Sequence, residues 1–142
     1  MKNNIVVIAS IFHEKDVTLM REKVRQTAKQ VGFSIEEVLV PGCYEIPLTL
    51  KRELLKKDID GAVVLGIIEK GETKHGLVMG FVVHQAIVTL ELETGKPVGK
   101  CILGPDIVPS QMKKRLIPYA RDAVLAVSKM LNLEKNDEES MV

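Results

Sequence analysis

Apolar residues along this chain come in two rhythms. Short, nearly unbroken apolar runs occupy residues 5–9 (IVVIA), 37–40, 62–68 (AVVLGII) and 98–103. Each is followed by a longer stretch of helical spacing, over about 16–31, 44–57, 73–93 and 110–131. Asp16 is the expected N-cap of the first helix and Gly32 its stop. Pro41-Gly42 leads into the second helix, and Pro47 falls in its first turn, where a missing N–H costs little. Gly95 and Pro97 stop the third. Pro105 and Pro109 mark a loop before the fourth. Runs this apolar imply a sheet buried on both faces, and helix-length separations imply right-handed parallel crossovers. The expectation is a three-layer α/β domain with a four-stranded, mainly parallel sheet. Ligands of such sheets bind beyond the carboxyl ends of the strands, which directs attention to residues 10–14, 41–45, 67–75 and 103–109.

The third helix breaks the usual amphipathic rule. Over residues 76–92 it is apolar nearly all round, interrupted by His84, Gln85, Thr89 and Glu91. One face is expected on the sheet. The other needs a cover, and a neighbouring subunit is favoured over the last helix or a loop. Gly76 and Gly80, four apart, would let another backbone approach closely.

Composition narrows the function classes. With 142 residues and 46% hydrophobic content, the chain can bury a core of its own. Its net charge of +1 gives no drive toward non-specific nucleic-acid binding, and 4% aromatics without Trp argues against a base-stacking platform. Cys43 and Cys101 cannot form a disulfide framework. The N-terminus lacks the features of a signal peptide, and no uninterrupted apolar run reaches the ~18 residues of a membrane span. A reduced, cytoplasmic, single domain over residues 1–131 is expected, without nucleic-acid or membrane partners. The acidic segment 132–142 is expected to be a solvated, mobile tail.

Gly71-Glu72-Thr73-Lys74-His75 joins the third strand to the third helix. Backbone N–H groups at such a turn, the helix's positive end, the Thr73 hydroxyl and Lys74 suit a phosphate; the P-loop spacing is absent. The competing reading is a Thr N-cap beside a solvated Lys. His75 falls in the helix's first turn, where the positive end favours a neutral ring able to accept a proton. His84 reads as structural or interfacial. His13 could reach the same cleft as His75. No metal-ligand spacing occurs among the His and Cys residues. Cys43 and Cys101 read as small buried hydrophobes, with a Cys–His nucleophilic pair left open. Arg115 lies either on a solvated face with Lys113 and Lys114 or against a phosphate as a bidentate fork. Glu45 either accepts bonds from sugar hydroxyls or favours a helix N-terminus. Phe12 is either core or a surface for a flat heterocycle.

Together these segments say more than each alone. Residues 40–47 (VPGCYEIP) resemble the VPGxxEIP signature of the 6,7-dimethyl-8-ribityllumazine synthase family, and residues 65–75 (LGIIEKGETKH) resemble its LGxVIxGxTxH segment. Residues 93–98 (ETGKPV) are similar to its ETGxPV turn, and residues 9–12 (ASIF) to its first strand end. The order holds from about residue 4 to 131, and the short N-terminus looks most like the archaeal branch. The resemblance implies a flavodoxin-like fold and a pentamer-based homo-oligomer with active sites between subunits. It implies the joining of 5-amino-6-(D-ribitylamino)uracil to 3,4-dihydroxy-2-butanone 4-phosphate without metal or organic cofactor. It implies that Phe12, Cys43, Tyr44, Glu45, Ile67, Ile68, Glu69 and Lys100 meet the pyrimidine and its ribityl chain. Glu72, Thr73 and Arg115 would meet the phosphate, and His75 would transfer protons. His13 stands where the family usually carries Asn, and Lys100 where it carries an apolar or aromatic residue. Rival readings are the archaeal type of riboflavin synthase, which shares the VPG segment, and a non-catalytic ligand-binding or shell-forming α/β homologue.

Overall fold

The computed structural model describes residues 2–140. Four strands alternate with four helices: β1 (Asn4–Ser10), α1 (Glu14–Gln30), β2 (Ser34–Val40), α2 (Ile46–Leu54), β3 (Gly61–Glu69), α3 (His75–Thr94), β4 (Val98–Ile107) and α4 (Pro109–Ser140). A single 3-10 turn, Cys43–Glu45, precedes α2. All strand pairs are parallel, in the order β2-β1-β3-β4.

Strand pleating divides the core in two. Ile5, Val7 and Ala9 of β1, with Val63, Leu65 and Ile67 of β3, meet Val17, Met20 and Val24 of α1 and Met112, Leu116 and Ala120 of α4. Val6, Ile8, Ala62, Val64 and Ile68 point the other way, onto Ile46, Leu50 and Leu54 of α2 and Val83, Ile87 and Leu90 of α3. This is the expected three-layer, flavodoxin-like sandwich with a parallel sheet.

Several boundaries differ from expectation. The residue flanking α1 is His13, in left-handed geometry (φ 60°) with no side-chain cap, so Asp16 lies inside the first turn instead of capping it. Strand β2 begins at Ser34 and is half exposed along its length, because it is the sheet edge. Residues 104–107 are not a loop: β4 continues through them after a register shift opposite 67–69, and the Lys70 N–H donates to the Ile107 carbonyl (2.9 Å). Helix α4 does not stop near 131 but continues through the acidic segment to Ser140. Gly32 (φ 80°) and Gly95 (φ 69°) do stop α1 and α3, in the left-handed geometry that spares glycine the Cβ clash.

Helix α3 is long and apolar enough to cross a membrane by length and composition alone. Its Gly80–Val83–Ile87–Leu90 face is nevertheless packed on the sheet. The opposite side is open: Phe81 is 68% and Leu92 81% exposed, with Val78, Val82 and Val88 also exposed. The body of α4 packs on the other side of the sheet, and its far end only edges a pocket beside Val88 and Leu92, so α4 leaves most of this face open. The helix's two early glycines serve the chain's own folding. A Cβ on Gly80 would sit 2.6 Å from the Pro105 ring, and one on Gly76 would sit 3.2 Å from the Glu69 carbonyl oxygen. The close approach expected from a neighbour's backbone is therefore made by β4 and β3.

Candidate active site

In a doubly wound sheet the crevice opens where crossovers leave in opposite directions, here between β1 and β3. A cleft of about 470 Å³ lies there, beyond the strands' carboxyl ends. Phe12 enters it from the end of β1. Cys43, Tyr44 and Glu45 enter from the 3-10 turn, Ile67, Ile68 and Glu69 from the end of β3, and Thr73 and His75 from the β3–α3 connection. Nine of the residues singled out in the sequence thus share one cavity.

Each is placed by a local cause. Ser10 Oγ accepts the Phe12 N–H (3.2 Å), and the Val40 carbonyl accepts the Ile11 N–H (2.9 Å). These bonds turn the chain sharply off β1 and leave the Phe12 ring 63% exposed at the cleft mouth. The Glu45 N–H donates to the Gly42 carbonyl (3.2 Å), which closes the turn after Pro41-Gly42. Cys43 is buried beneath that turn, with its Sγ 4.0 Å from the Ile67 carbonyl oxygen. Burial pushes its thiol up to about 11, so it is a neutral wall group and not a nucleophile near neutral pH. Burial likewise pushes Cys101 up to about 12. The open Cys–His possibility therefore closes in favour of small buried hydrophobes.

Helix α3 starts at His75, with Lys74 flanking it. The Thr73 hydroxyl accepts the His75 N–H at 3.4 Å, a long bond that leaves the hydroxyl available to a stronger partner. The His75 and Tyr44 rings meet at an angle of 63° with centroids 6.1 Å apart. The imidazole therefore stands at a helix N-terminus, against an aromatic ring, above an apolar floor of Ile67, Ile68 and Met79. Chemically such a cleft suits a flat, polar-edged molecule, since its lining combines apolar and aromatic surface with an imidazole and the Glu45 carboxylate.

Three residues singled out in the sequence lie apart from this cleft. Glu72 is exposed and does not line it. Lys100 pairs with Glu91 of α3 and donates to the Val98 carbonyl (3.0 Å), while Glu91 also accepts the Val98 N–H (3.0 Å). Lys100 thus ties β4 to α3. Arg115 donates to the Gln111 carbonyl (2.8 Å) and lines a separate cavity of about 310 Å³ with Gly104, Pro105, Asp106 and Tyr119. No carboxylate pairs with it among the described residues.

The cleft also holds residues that sequence reasoning did not single out. Lys70 is the one Lys or Arg in its lining among the described residues, and Met79 is part of its floor. Met79 had a usable signal, because it lies four residues after His75 and so shares its helix face. His84, read as structural or interfacial, places Nε2 3.4 Å from the Gly104 carbonyl oxygen. Among the described residues no three His, Cys, Asp or Glu side chains form a cluster that could hold a metal ion.

Comparison with known proteins adds to this geometry. Residues 2–135 match the family model for 6,7-dimethyl-8-ribityllumazine synthase. A protein of that name from Staphylothermus marinus is 39% identical, over 95% of this chain and 91% of its own length. Another from Pyrobaculum arsenaticum is 34% identical, over 96% and 91%. A third, from Methanopyrus kandleri, is 36% identical, over 88% and 89%.

Proposed function

The chain belongs to the 6,7-dimethyl-8-ribityllumazine synthase family, and from that premise we propose that the cleft between β1 and β3 is the reaction site, with His75 as its proton-transfer residue. The protein is a transferase of riboflavin biosynthesis. It condenses 5-amino-6-(D-ribitylamino)uracil with 3,4-dihydroxy-2-butanone 4-phosphate, releases phosphate and water, and forms 6,7-dimethyl-8-ribityllumazine.

The observation that carries this reading is the meeting of Phe12, Glu45 and His75, from three separate segments, around one slot. The exposed Phe12 ring offers a stacking face for the pyrimidine. The ends of Ile67, Ile68 and Glu69 offer backbone groups to its edge. Glu45 accepts bonds from ribityl hydroxyls beside Cys43 and Tyr44. The Gly71–Thr73 turn, including the Glu72 N–H, faces the phosphate at the positive end of α3.

The reaction begins when a substrate amine attacks the butanone carbonyl, forming a C–N bond and expelling water. Phosphate then leaves as a neighbouring carbon loses a proton, and the second amine attacks the carbonyl so generated, closing the ring and expelling a second water. Each step moves a proton, and the His75 imidazole accepts one and returns it. Holding two substrates in one slot supplies much of the remaining acceleration.

The phosphate needs a guanidinium that the cleft of a single copy lacks. Arg115 and the neighbourhood of Lys100 come, on this reading, from an adjacent copy in a pentamer-based assembly, and the open apolar face of α3 supports such packing. The setting is the cytoplasm, where the buried free thiols of Cys43 and Cys101 persist.

The test uses Arg115→Ala and both substrates varied separately. Hydrogen bonds to charged groups contribute roughly 1.5–3 kcal/mol, so KM for the butanone phosphate should rise about ten- to a hundredfold. KM for the uracil should hold, and Arg115→Lys should recover part of the loss. Co-expression of Arg115→Ala with His75→Ala should restore some activity through mixed sites. A loss equal for both substrates, or no rescue in co-assembled variants, would overturn the phosphate role and the shared site.

A further inference from the structure

The turn between β1 and α1 holds a side chain that the reaction above leaves unused. His13 adopts φ 60° and ψ 50°, a left-handed conformation that few L-residues accept and that Asn, Asp and His accept best. Its carbonyl accepts the Val17 N–H (3.0 Å), and its side chain makes no capping bond. The imidazole turns instead to the end of β3. Nε2 lies 3.5 Å from Glu69 Oε2, with the two side chains 21% and 38% exposed. The same ring meets the edge of Phe12, with centroids 4.8 Å apart and planes at 83°. Nε2 is itself buried and has no hydrogen bond of good geometry among the described residues. One side chain outside the cleft lining therefore touches two that line it, Phe12 on one side and Glu69 on the other.

We propose that His13 is a specificity-determining positioning residue, which braces the Phe12 ring and the Glu69 carboxylate on either side of the heterocycle. This rests on the reading of the cleft given above. An exposed aromatic ring loses side-chain freedom when it stacks on a ligand, and a brace already in place removes part of that cost. The Glu69 carboxylate, held toward His13, stays at the strand end, where a uracil ring and its exocyclic amine present N–H donors. His13 touches neither the phosphate turn nor His75, so its effect belongs to the uracil substrate alone.

Two variants separate the side chain from the backbone. His13→Gly keeps the left-handed turn and removes the ring; His13→Asn keeps the turn and a shorter polar group that falls short of Glu69. A partly exposed pair and one ring contact are modest interactions. Both variants should raise KM for the ribitylaminouracil about three- to tenfold, with kcat and KM for the butanone phosphate unchanged and the thermal midpoint nearly so. Glu69→Gln should raise the same KM, and adding His13→Gly to it should give less than the product of the two effects. Calorimetric titration with 6,7-dimethyl-8-ribityllumazine reads the same affinities without turnover. An unchanged uracil KM in both His13 variants, an equal loss for the two substrates, or fully multiplicative effects of His13→Gly and Glu69→Gln would overturn the proposal. A wild-type chain that binds the lumazine but never forms it would overturn the reaction and leave His13 to be decided by the calorimetric affinities. One that neither binds nor forms it would overturn both.

Discussion

Gly66, in the middle of β3, offers a test of how the cleft is built. A Cβ there would lie 2.6 Å from Cys43 Sγ, 3.6 Å from Ser10 Cβ and 3.7 Å from Ile46 Cδ1. Non-bonded heavy atoms sit comfortably at about 3.5–4.0 Å, so Gly66→Ala is short of room by about an ångström, and on one side only. Cys43 is 4% exposed and enclosed by the second core cluster, so its sulfur has nowhere to swing. The 3-10 turn must lift from the sheet or β3 must shift. Overpacking of this kind costs ~1–3 kcal/mol, which for a chain of this size lowers Tm by about 3–12 °C. The comparison must be made at one protein concentration, because assembly also shifts Tm. The same turn carries Tyr44 and Glu45, so KM for the ribitylaminouracil should rise more than KM for the butanone phosphate. Cys43→Ala removes the obstructing sulfur. In that background Gly66→Ala should become nearly neutral, a coupling of ~1–2 kcal/mol in a double-mutant cycle followed by thermal and urea unfolding. If Gly66→Ala costs as much in the Cys43→Ala background as it does with Cys43 in place, the contact does not govern the site's shape and this reasoning fails.

His75→Ala should lower kcat by about 10²- to 10⁴-fold, or less where substrate amines and water move protons themselves, with uracil affinity nearly unchanged; undiminished turnover would remove His75 from the mechanism. With its thiol raised from 9.0 to about 11, Cys43 should be alkylated by iodoacetamide at pH 8 about a hundredfold more slowly than an exposed peptide thiol. Cys101, near 12, should be about tenfold slower again, which peptide mass spectrometry would read, and labelling at the exposed rate would contradict the burial. Phe81→Glu and Leu92→Glu place charge on the open face of α3 and should shift the sedimentation profile to smaller species; an unchanged profile would show that this face is not the interface.

What could be read from the sequence divides along physical lines. Strands β1 and β3 are buried on both faces, so their apolar runs announced them. Only the end of β2 was visible, because Glu36 and Glu37, which point to opposite faces of this half-exposed edge strand, break its apolar run. Residues 104–107 read as a loop because Gly-Pro-Asp carries turn chemistry; that chemistry is spent on a bulge within β4, with positive φ at Gly104 and Asp106, before Ile107 pairs with Glu69. The acidic end of α4 buries little, yet its Glu and Lys residues are good helix formers. The candidate site was legible wherever its residues are contiguous: the end of β1, the turn 43–45 and the segment 67–75. Contacts between distant segments were not legible. Nothing local says that Glu91 captures Lys100, that Pro105 fills the space over Gly80, or that His13 turns toward Glu69.

The charges around the cleft also favour a site shared between copies. Among the described residues its lining holds two carboxylates, Glu45 and Glu69, against one ammonium, Lys70. A phosphate ester adds more negative charge to a slot that is already short of cations. The positive end of α3 contributes about half a charge, which does not offset even one carboxylate. Charge in a partly desolvated slot must be paired or it weakens binding. Lys74 stands next to the turn but is exposed, and a screened ammonium on a flexible stem compensates little. Arg115 is the guanidinium near the strand ends that no carboxylate has claimed among the described residues, and within its own chain it faces a different cavity. An isolated copy would therefore hold the pyrimidine more readily than the phosphate. On the proposed reading, the guanidinium and the cover for α3 both come from the next copy, so dissociation should cost butanone phosphate binding before it costs uracil binding.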